Sequence, residues 1–388
     1  MSWPKVKLAD CTEIFSGATP RTNQSEYWNG SIPWITPKDL GGYESKYIDR
    51  TEKYITDAGF LNCSTNLLPV NSVMMSSRAP IGHVAINTVP MCTNQGFKSL
   101  VPNREILEAD YLYYWIKANK DFLQNLGVGA TFKEISKAIV ANIEIPLPPL
   151  ETQRRIAAIL DQADALRQKR QQAIAKLDEL VQATFIDMFG DPVTNPKGWP
   201  IAKLNDLGNL DRGVSKHRPR GAPELLGGIH PLIQTGDVSR SNGFIKEYSY
   251  TYSDVGLKQS KKWPKGTLCI TIAANIANTG ILDFEACFPD SVVGFTSNHS
   301  SNIHYVQGVF SFLREILEET APQSAQKNIN LAILRALDIP KPPIHLQDKW
   351  GDIALKIEDQ RVAQKKQLAA METLFKSLQH QAFNGELT

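Results

Sequence analysis

Two short basic stretches are the first residues in this chain with a spacing that could do chemistry. "DRGVSKHRPRGAP" gathers Arg212, Lys216, His217, Arg218 and Arg220 into a segment punctuated by Gly and Pro, with only Asp211 opposing them in sequence. "LKQSKKWPKG" adds Lys258, Lys261, Lys262 and Lys265, and no acid lies between Val255 and Leu282. Earlier, "GATPRTNQSEYWNG" offers Thr19, Arg21, Asn23, Gln24, Tyr27 and Trp28, and Lys38 and Arg78 follow in turn-rich segments. Lys and Arg on such loops suit phosphate oxygens, while Arg, Asn and Gln suit base edges. One such loop is ordinarily a solvated surface. Two basic clusters in one half of the chain favour DNA.

Catalytic patterns are missing. There is no Walker A sequence for a nucleotide-driven motor and no Asn-Pro-Pro-aromatic tetrad or strand-linked GxGxG for a methyl donor. The histidines are dispersed, and "HSSNIH" from His299 to His304 has no common zinc spacing. Pro289-Asp290 is not followed by the acid-x-Lys element of a restriction nuclease. Five scattered cysteines without a CxxC pair argue against a disulfide framework or zinc site and fit a reducing cytoplasm. No apolar run is long enough to span a membrane, and the start "MSWPKVKLAD" lacks a secretory core. With a net charge of +2 over 388 residues, any DNA-facing surface must come from local clustering.

The elements that must position these loops announce themselves by repetition. Sliding the chain by 194 positions lays Ile145 on Ile339, Pro146 on Pro340, Pro148 on Pro342, Pro149 on Pro343, Gln153 on Gln347 and Arg167 on Arg361. The match runs without a gap to Phe189 on Phe383. Pro-Pro precedes a helix and cannot continue one. Beyond it, apolar residues recur in steps of four and three. One seam reads Ile156, Leu160, Ala163, Ile174, Leu177, Val181, Thr184, Met188; the other reads Trp350, Ala354, Ile357, Leu368, Met371, Phe375, Leu378, Ala382. Arg167 and Arg170 interrupt the first, Arg361 and Gln364 the second. Steps averaging about 3.5 mark a coiled-coil seam. Two matching interrupted helices are best read as partners, each a rod of about 50 Å.

The regions between are strand-rich and share "WPKVKLAD" with "WPIAKLND" and "IPWITPKDL" with "HPLIQTGDV". The expected fold is α+β: two similar mixed α/β domains, 1–145 and 191–339, each followed by a long helix, 146–190 and 340–388. The helices would pair antiparallel as a coiled coil about a pseudo-two-fold axis. From the residues alone, an enzyme and a purely structural coiled-coil adaptor remain rivals to a DNA reader.

"GATPRTNQSEYWNGSIPWITPKDL", "SSRAPIGHVAI", "NQGFKSL" and "GATFKEISKAIVANIEIPLPPLETQRRIAAIL" together resemble the specificity subunits of Type I restriction-modification systems, over essentially the whole chain. The second copy departs from the pattern, with Trp350 where the first has Ile156 and "LIQTGDV" in place of the IPW form. The resemblance implies a non-catalytic subunit in which each target-recognition domain reads one half of a bipartite site on double-stranded DNA. It implies helices that set the spacer and dock two methyltransferase (M) subunits. S-adenosylmethionine would bind those subunits, and ATP and Mg would bind a restriction (R) subunit; this chain itself would hold no cofactor or metal.

Overall fold

The computed structural model describes residues 3–78, 80–129, 133–217, 219–273, 275–320 and 329–387. The chain forms two compact units, residues 1–172 with 365–388, and residues 173–364. The fold is α+β, and each unit is made of one sheet-based domain and parts of both long helices.

In the first unit, five strands run in the order Thr12–Ser16, Phe97–Pro102, Val73–Ser76, Val84–Asn87, Tyr47–Ile48, antiparallel except for the last pair. A smaller sheet joins Lys53–Ile55, Trp28–Ile35 and Cys92–Thr93. The second unit repeats the order with Gly208–Arg212, Val292–Ser297, Leu268–Thr271, Thr279–Leu282 and Gly243–Ile245. Its smaller sheet holds Tyr250–Tyr252, Leu226–Leu232, Ala286–Cys287 and Lys262–Trp263. The central strands are buried along their length, as Val-, Met- and Ile-rich runs covered on both faces must be.

The long helices are Leu150–Phe189, 40 residues, and Ile344–Asn384, 41 residues. Each starts directly after its proline pair, and the repeated glutamine anchors the start. Gln153 Nε2 donates to Pro148 O at 2.7 Å and Ile106 O at 2.8 Å, while its Oε1 accepts from Glu108 N at 2.9 Å. Gln347 does the same, with Nε2 donating to Pro342 O at 2.8 Å and Oε1 accepting from Asn302 N at 2.9 Å. The helix ends are also held alike: Trp3 Nε1 donates to Ala382 O at 3.1 Å, and Trp199 Nε1 to Phe189 O at 2.9 Å.

Seam residues divide by depth. Ile156, Leu160 and Phe375 are buried in the first unit's core against the aromatic helix Ala109–Ala118. Trp350 is buried in the second unit's core, and Ile357 is buried along the same helix. Ile174, Leu177, Val181, Leu368 and Met371 are only half-buried. A pair of helices covers one side of each, whereas a helix end wedged on a sheet domain is covered on several. Within the second unit, Asp178 meets Arg361 while Phe185 meets Trp350, so the pairing is antiparallel.

The end of the first seam differs from the expected one. Thr184 and Met188 are half-buried, and the neighbouring Phe185 and Phe189 occupy the core, with the Phe185 ring 5.2 Å from Trp350 and 5.0 Å from Phe189. A straight helix of 3.6 residues per turn drifts about 20° per heptad from a strict seven-residue repeat. Near its end the helix therefore presents the adjoining column to the domain.

Replacing Trp350 by Ala should lower the second unit's stability by about 3–5 kcal/mol, the range for emptying a large aromatic site. Ile229→Ser, at a residue 84% exposed, should change it by less than about 0.5 kcal/mol. Chemical denaturation followed by tryptophan-independent circular dichroism checks both.

Candidate nucleic-acid interface

One corner of each domain is built from the same backbone bonds. In the first unit, the turn after Val73–Ser76 closes with Ser76 N donating to His83 O at 2.8 Å and Gly82 N to Ser76 O at 3.0 Å. Ser76 Oγ donates to Pro80 O at 2.7 Å and accepts from His83 N at 2.9 Å. In the second unit, Thr271 N donates to Asn278 O at 3.0 Å and Ala277 N to Thr271 O at 2.8 Å. Thr271 Oγ1 donates to Asn275 O and accepts from Asn278 N at 3.1 Å. The last turn residue is left-handed in both copies, Gly82 at φ 85° and Ala277 at φ 58°. For alanine that conformation costs on the order of 1–2 kcal/mol, so the surroundings must enforce it.

The same segments meet this turn in both copies. Ser77 N donates to Gly96 O and Ile135 N to Ser77 O; Ile272 N donates to Ser291 O and Ile329 N to Ile272 O. The side chains differ. In the first unit, Thr19 hydrogen-bonds Gln95, and Glu134 takes Arg78 Nε at 3.0 Å and the buried Lys98 Nζ at 3.4 Å. In the second, Arg212, Arg220 and Asp290 line an open cavity of about 260 Å³ with Ile272, Ala273, Ser291 and Ile329. Arg220 pairs with Asp290 there.

The remaining basic residues are more dispersed. Lys216 is exposed and tied through its backbone N to Gln259 O at 3.3 Å. Lys261 Nζ lies 3.9 Å over the Trp263 ring and 3.7 Å from Asp211, which also faces Arg335 at 3.8 Å. Lys262 faces Glu285 at 3.8 Å and Lys265 faces Asp283 at 2.7 Å. The cluster that in sequence has only Asp211 against it is opposed in space by Asp290, brought in from 70 residues along the chain, and by Glu224, which lies just beyond the segment and faces His217. Arg218 lies outside the described residues. In the first unit, Arg21 is exposed with its carbonyl accepting from Trp28 Nε1 at 3.3 Å, and Tyr27 is half-buried beside Gly59. Lys38 sits apart on the turn Thr36–Leu40, paired with Glu52 at 3.1 Å. Gln95, Lys98, Glu134 and Asn275 are corner residues that no sequence signal marks as contacts, although "NQGFKSL" and "GATFKEISK" contain three of them; Asp290, part of the incomplete nuclease element, is a corner residue too.

A second kind of polar site ties each domain to a long helix. Lys46 Nζ lies 2.6 Å from Asp161 and 2.9 Å from Asp110. Burial pulls its pKa down, but the hydrogen bonds it donates to Asp110 and Asp161 outweigh this and leave it raised. In the second unit, Lys246 Nζ meets Glu358 at 2.6 Å, and Arg361 meets Glu358 at 3.3 Å and donates to Asn242 O at 3.1 Å. Among the described residues no group of His, Cys, Asp and Glu could hold a metal, and no helix is long and apolar enough to cross a membrane.

One domain built twice, with one framework and divergent corner side chains, defines a protein of recognition modules. The chain belongs to the Type I restriction modification DNA specificity domain family, which matches residues 2–176 and 196–376. It is a specificity subunit, the non-catalytic DNA-recognition component of such systems. The MjaIX specificity subunit of Methanocaldococcus jannaschii is 28% identical over 99% of this chain and 93% of its own length. The EcoR124I/EcoR124II specificity subunit of Escherichia coli is 34% identical over 46% of this chain and 45% of its own. The S subunit structure from M. genitalium superposes with a TM-score of 0.63 at 15% identity, covering 99% of this chain and 96% of that one. A chain from a structural study of complex assembly in the type I system gives 0.63 at 18% identity, covering 100% and 98%.

Glu134→Ala removes the carboxylate shared by Arg78 and the buried Lys98, and should cost about 1–3 kcal/mol of stability. Lys38→Ala, at an exposed pair, should cost no more than about 1 kcal/mol. Denaturation midpoints of the two variants check the ranking.

Proposed function

We propose that each unit reads one half of a bipartite site on double-stranded DNA through the corner described above, and that the long helices set the unspecified spacer. The observation that carries this is the twice-built corner: identical backbone bonds hold different polar side chains, as two readers of different half-sites require. Thr19 and Arg78 at the corner, with Arg21, Tyr27 and Lys38 beyond it, are the proposed contacts of the first unit; Arg212 and Arg220 at the corner, with Lys216, Lys261 and Lys262 beyond it and Arg218 by its place in the sequence, are those of the second. Pairs such as Arg220 with Asp290 would exchange partners when phosphate or a base edge arrives.

We further propose that the exposed faces of the paired helices dock two M subunits, which supply S-adenosylmethionine, and that R subunits bring ATP and Mg to the assembly in the cytoplasm. Helices of 40 and 41 residues at 1.5 Å per residue give rods of about 60 Å. That length suits a spacer between half-sites on the order of one and a half turns of B-DNA apart.

Methylation-site sequencing in cells carrying the chain with its M partner is the direct test. Exchanging residues 191–339 for those of a relative should rewrite one half-site and leave the other intact; no change in either would overturn the reading. Arg220→Ala should cost about 1–3 kcal/mol in affinity and relax one half-site if it touches a base, or weaken all sequences alike if it touches phosphate. Matched four-residue insertions after Gln172 and Gln364 add about 6 Å and should lengthen the spacer by about two base pairs. A folded, active variant with altered half-sites and an unchanged spacer contradicts the ruler.

A further inference from the structure

Superimposing the hydrogen bonds of the two corner turns pairs their residues one to one: Ser76 with Thr271, Arg78 with Ala273, Pro80 with Asn275, Gly82 with Ala277, His83 with Asn278. The framework is the same, and what it displays is exchanged. The first copy puts out an arginine and closes with a proline; the second has alanine at the arginine position and puts out an asparagine where the proline was.

Asn275 is exposed and left-handed, with φ 56°. Its backbone carbonyl is held from two sides, by Thr271 Oγ1 and by Asn278 Nδ2 at 2.8 Å. Its side-chain amide makes no hydrogen bond among the described residues. On one flank Ile276 and Ala277 are buried in the second unit's core, and Ile272 and Ala273 line the cavity that also holds Arg212 and Arg220. An amide on a braced turn, two residues from the Ala273 that lines the arginine cavity, needs little reordering to meet a ligand. A carboxamide offers one acceptor and two donors, the complement of the N6–H donor and N7 acceptor on adenine's major-groove edge, whereas arginine suits guanine O6 and N7.

Resting on the half-site reading above, we propose that the Thr271–Asn278 turn is a base-reading element of the second unit, with Asn275 recognising an adenine in the major groove. The first unit's Ser76–His83 turn is its counterpart, with Arg78 displayed for guanine. Arg212 and Arg220 then serve to hold the phosphates beside the base that Asn275 reads.

The test uses the full chain assembled with its M partner. Its probes are duplexes carrying the site defined by methylation sequencing, and every single-base-pair variant of the second half-site. Asn275→Asp keeps size and tolerance of the left-handed backbone but loses the N–H donors; Asn275→Gly keeps the backbone and removes the side chain. Both should lose roughly 5- to 150-fold of discrimination at one A·T pair, with the first half-site unchanged. Melting temperature and complex assembly, expected to match wild type, establish that the variants fold. Wild-type preference at every position in both variants would overturn the proposal, as would uniform weakening on all duplexes, which marks a phosphate contact. Exchange of the whole second unit separates the two levels. If that exchange rewrites the half-site while Asn275 variants do not, the turn's role fails alone; if the exchange rewrites nothing, the half-site reading fails with it.

Discussion

Everything in this architecture depends on a helix of 40 residues leaving a sheet domain at a fixed place, and a buried amide fixes that place. Gln153 and Gln347 are 0% and 1% exposed, and each sits one turn into its helix. Their donors reach back to the carbonyl beside the proline pair, and their acceptors take a backbone N–H of the domain. A buried amide left without these partners costs about 1–3 kcal/mol, so an incorrectly seated helix is penalised at once. Pro-Pro separates the helix from the preceding strand, glutamine pins the first turn, and the tryptophan of the "WP" element holds a carbonyl at the far end. These contacts fix helix position and involve none of the corner residues.

The cores beneath the helices differ in residue. Tyr111 and Tyr305 are counterparts, each donating its hydroxyl to the carbonyl of the repeated proline, Pro146 or Pro340, at 2.7 and 2.6 Å. Three residues on, the first domain has Tyr114 and the second has Gly308. A Cβ on Gly308 would lie 2.6 Å from the Phe185 ring, which with Trp350 fills the space. In the first unit Tyr114 of the domain helix packs against Phe375 of a long helix; in the second, Phe185 and Trp350 of the long helices fill the space over Gly308. Close packing constrains summed volume more than the identity of its donor. The departure of Trp350 from the first copy's Ile156 is the other half of the Tyr114–Gly308 exchange.

Such compensation explains which features were legible in the sequence. The repeat, the proline starts, the antiparallel partnership and the α+β class rest on local rules, namely proline sterics and apolar period, and these survive divergence. Phe185 and Phe189 do not stand out in a 3.5-residue seam because near the helix end the adjoining column faces both Trp350 and the domain's Tyr305. The acids opposite Arg220, Lys262 and Lys265 were hidden because Asp290, Glu285 and Asp283 arrive across strands, and charge counting along the chain does not see pairing across it. The corner turns were hidden for a deeper reason. "SSRAPIGH" and "TIAANIAN" share Ile81 with Ile276 and little else, and their equivalence lives in backbone bonds and one hydroxyl, which Ser and Thr supply equally.

That division between backbone and side chain is what a recognition subunit needs physically. A reading residue held by its own side-chain packing cannot change without disturbing the packing. At these corners the turn is braced by main-chain bonds, by the Ser76 or Thr271 hydroxyl, and by a buried Ile81 or Ile276 beneath. Pro80, Ala273 and Asn275 brace the turn through no side-chain hydrogen bond among the described residues, and the Arg78 guanidinium reaches out of the turn to Glu134. Exchange at those positions leaves the turn's hydrogen bonds intact, as the two copies within this one chain demonstrate. The left-handed position marks the limit of that freedom: Gly82 adopts it without strain, Ala277 only because Thr271 O accepts its N–H at 2.8 Å and the core closes over its methyl group. At these turns the displayed side chains diverge, while the strain and the bonds that oppose it stay with the framework.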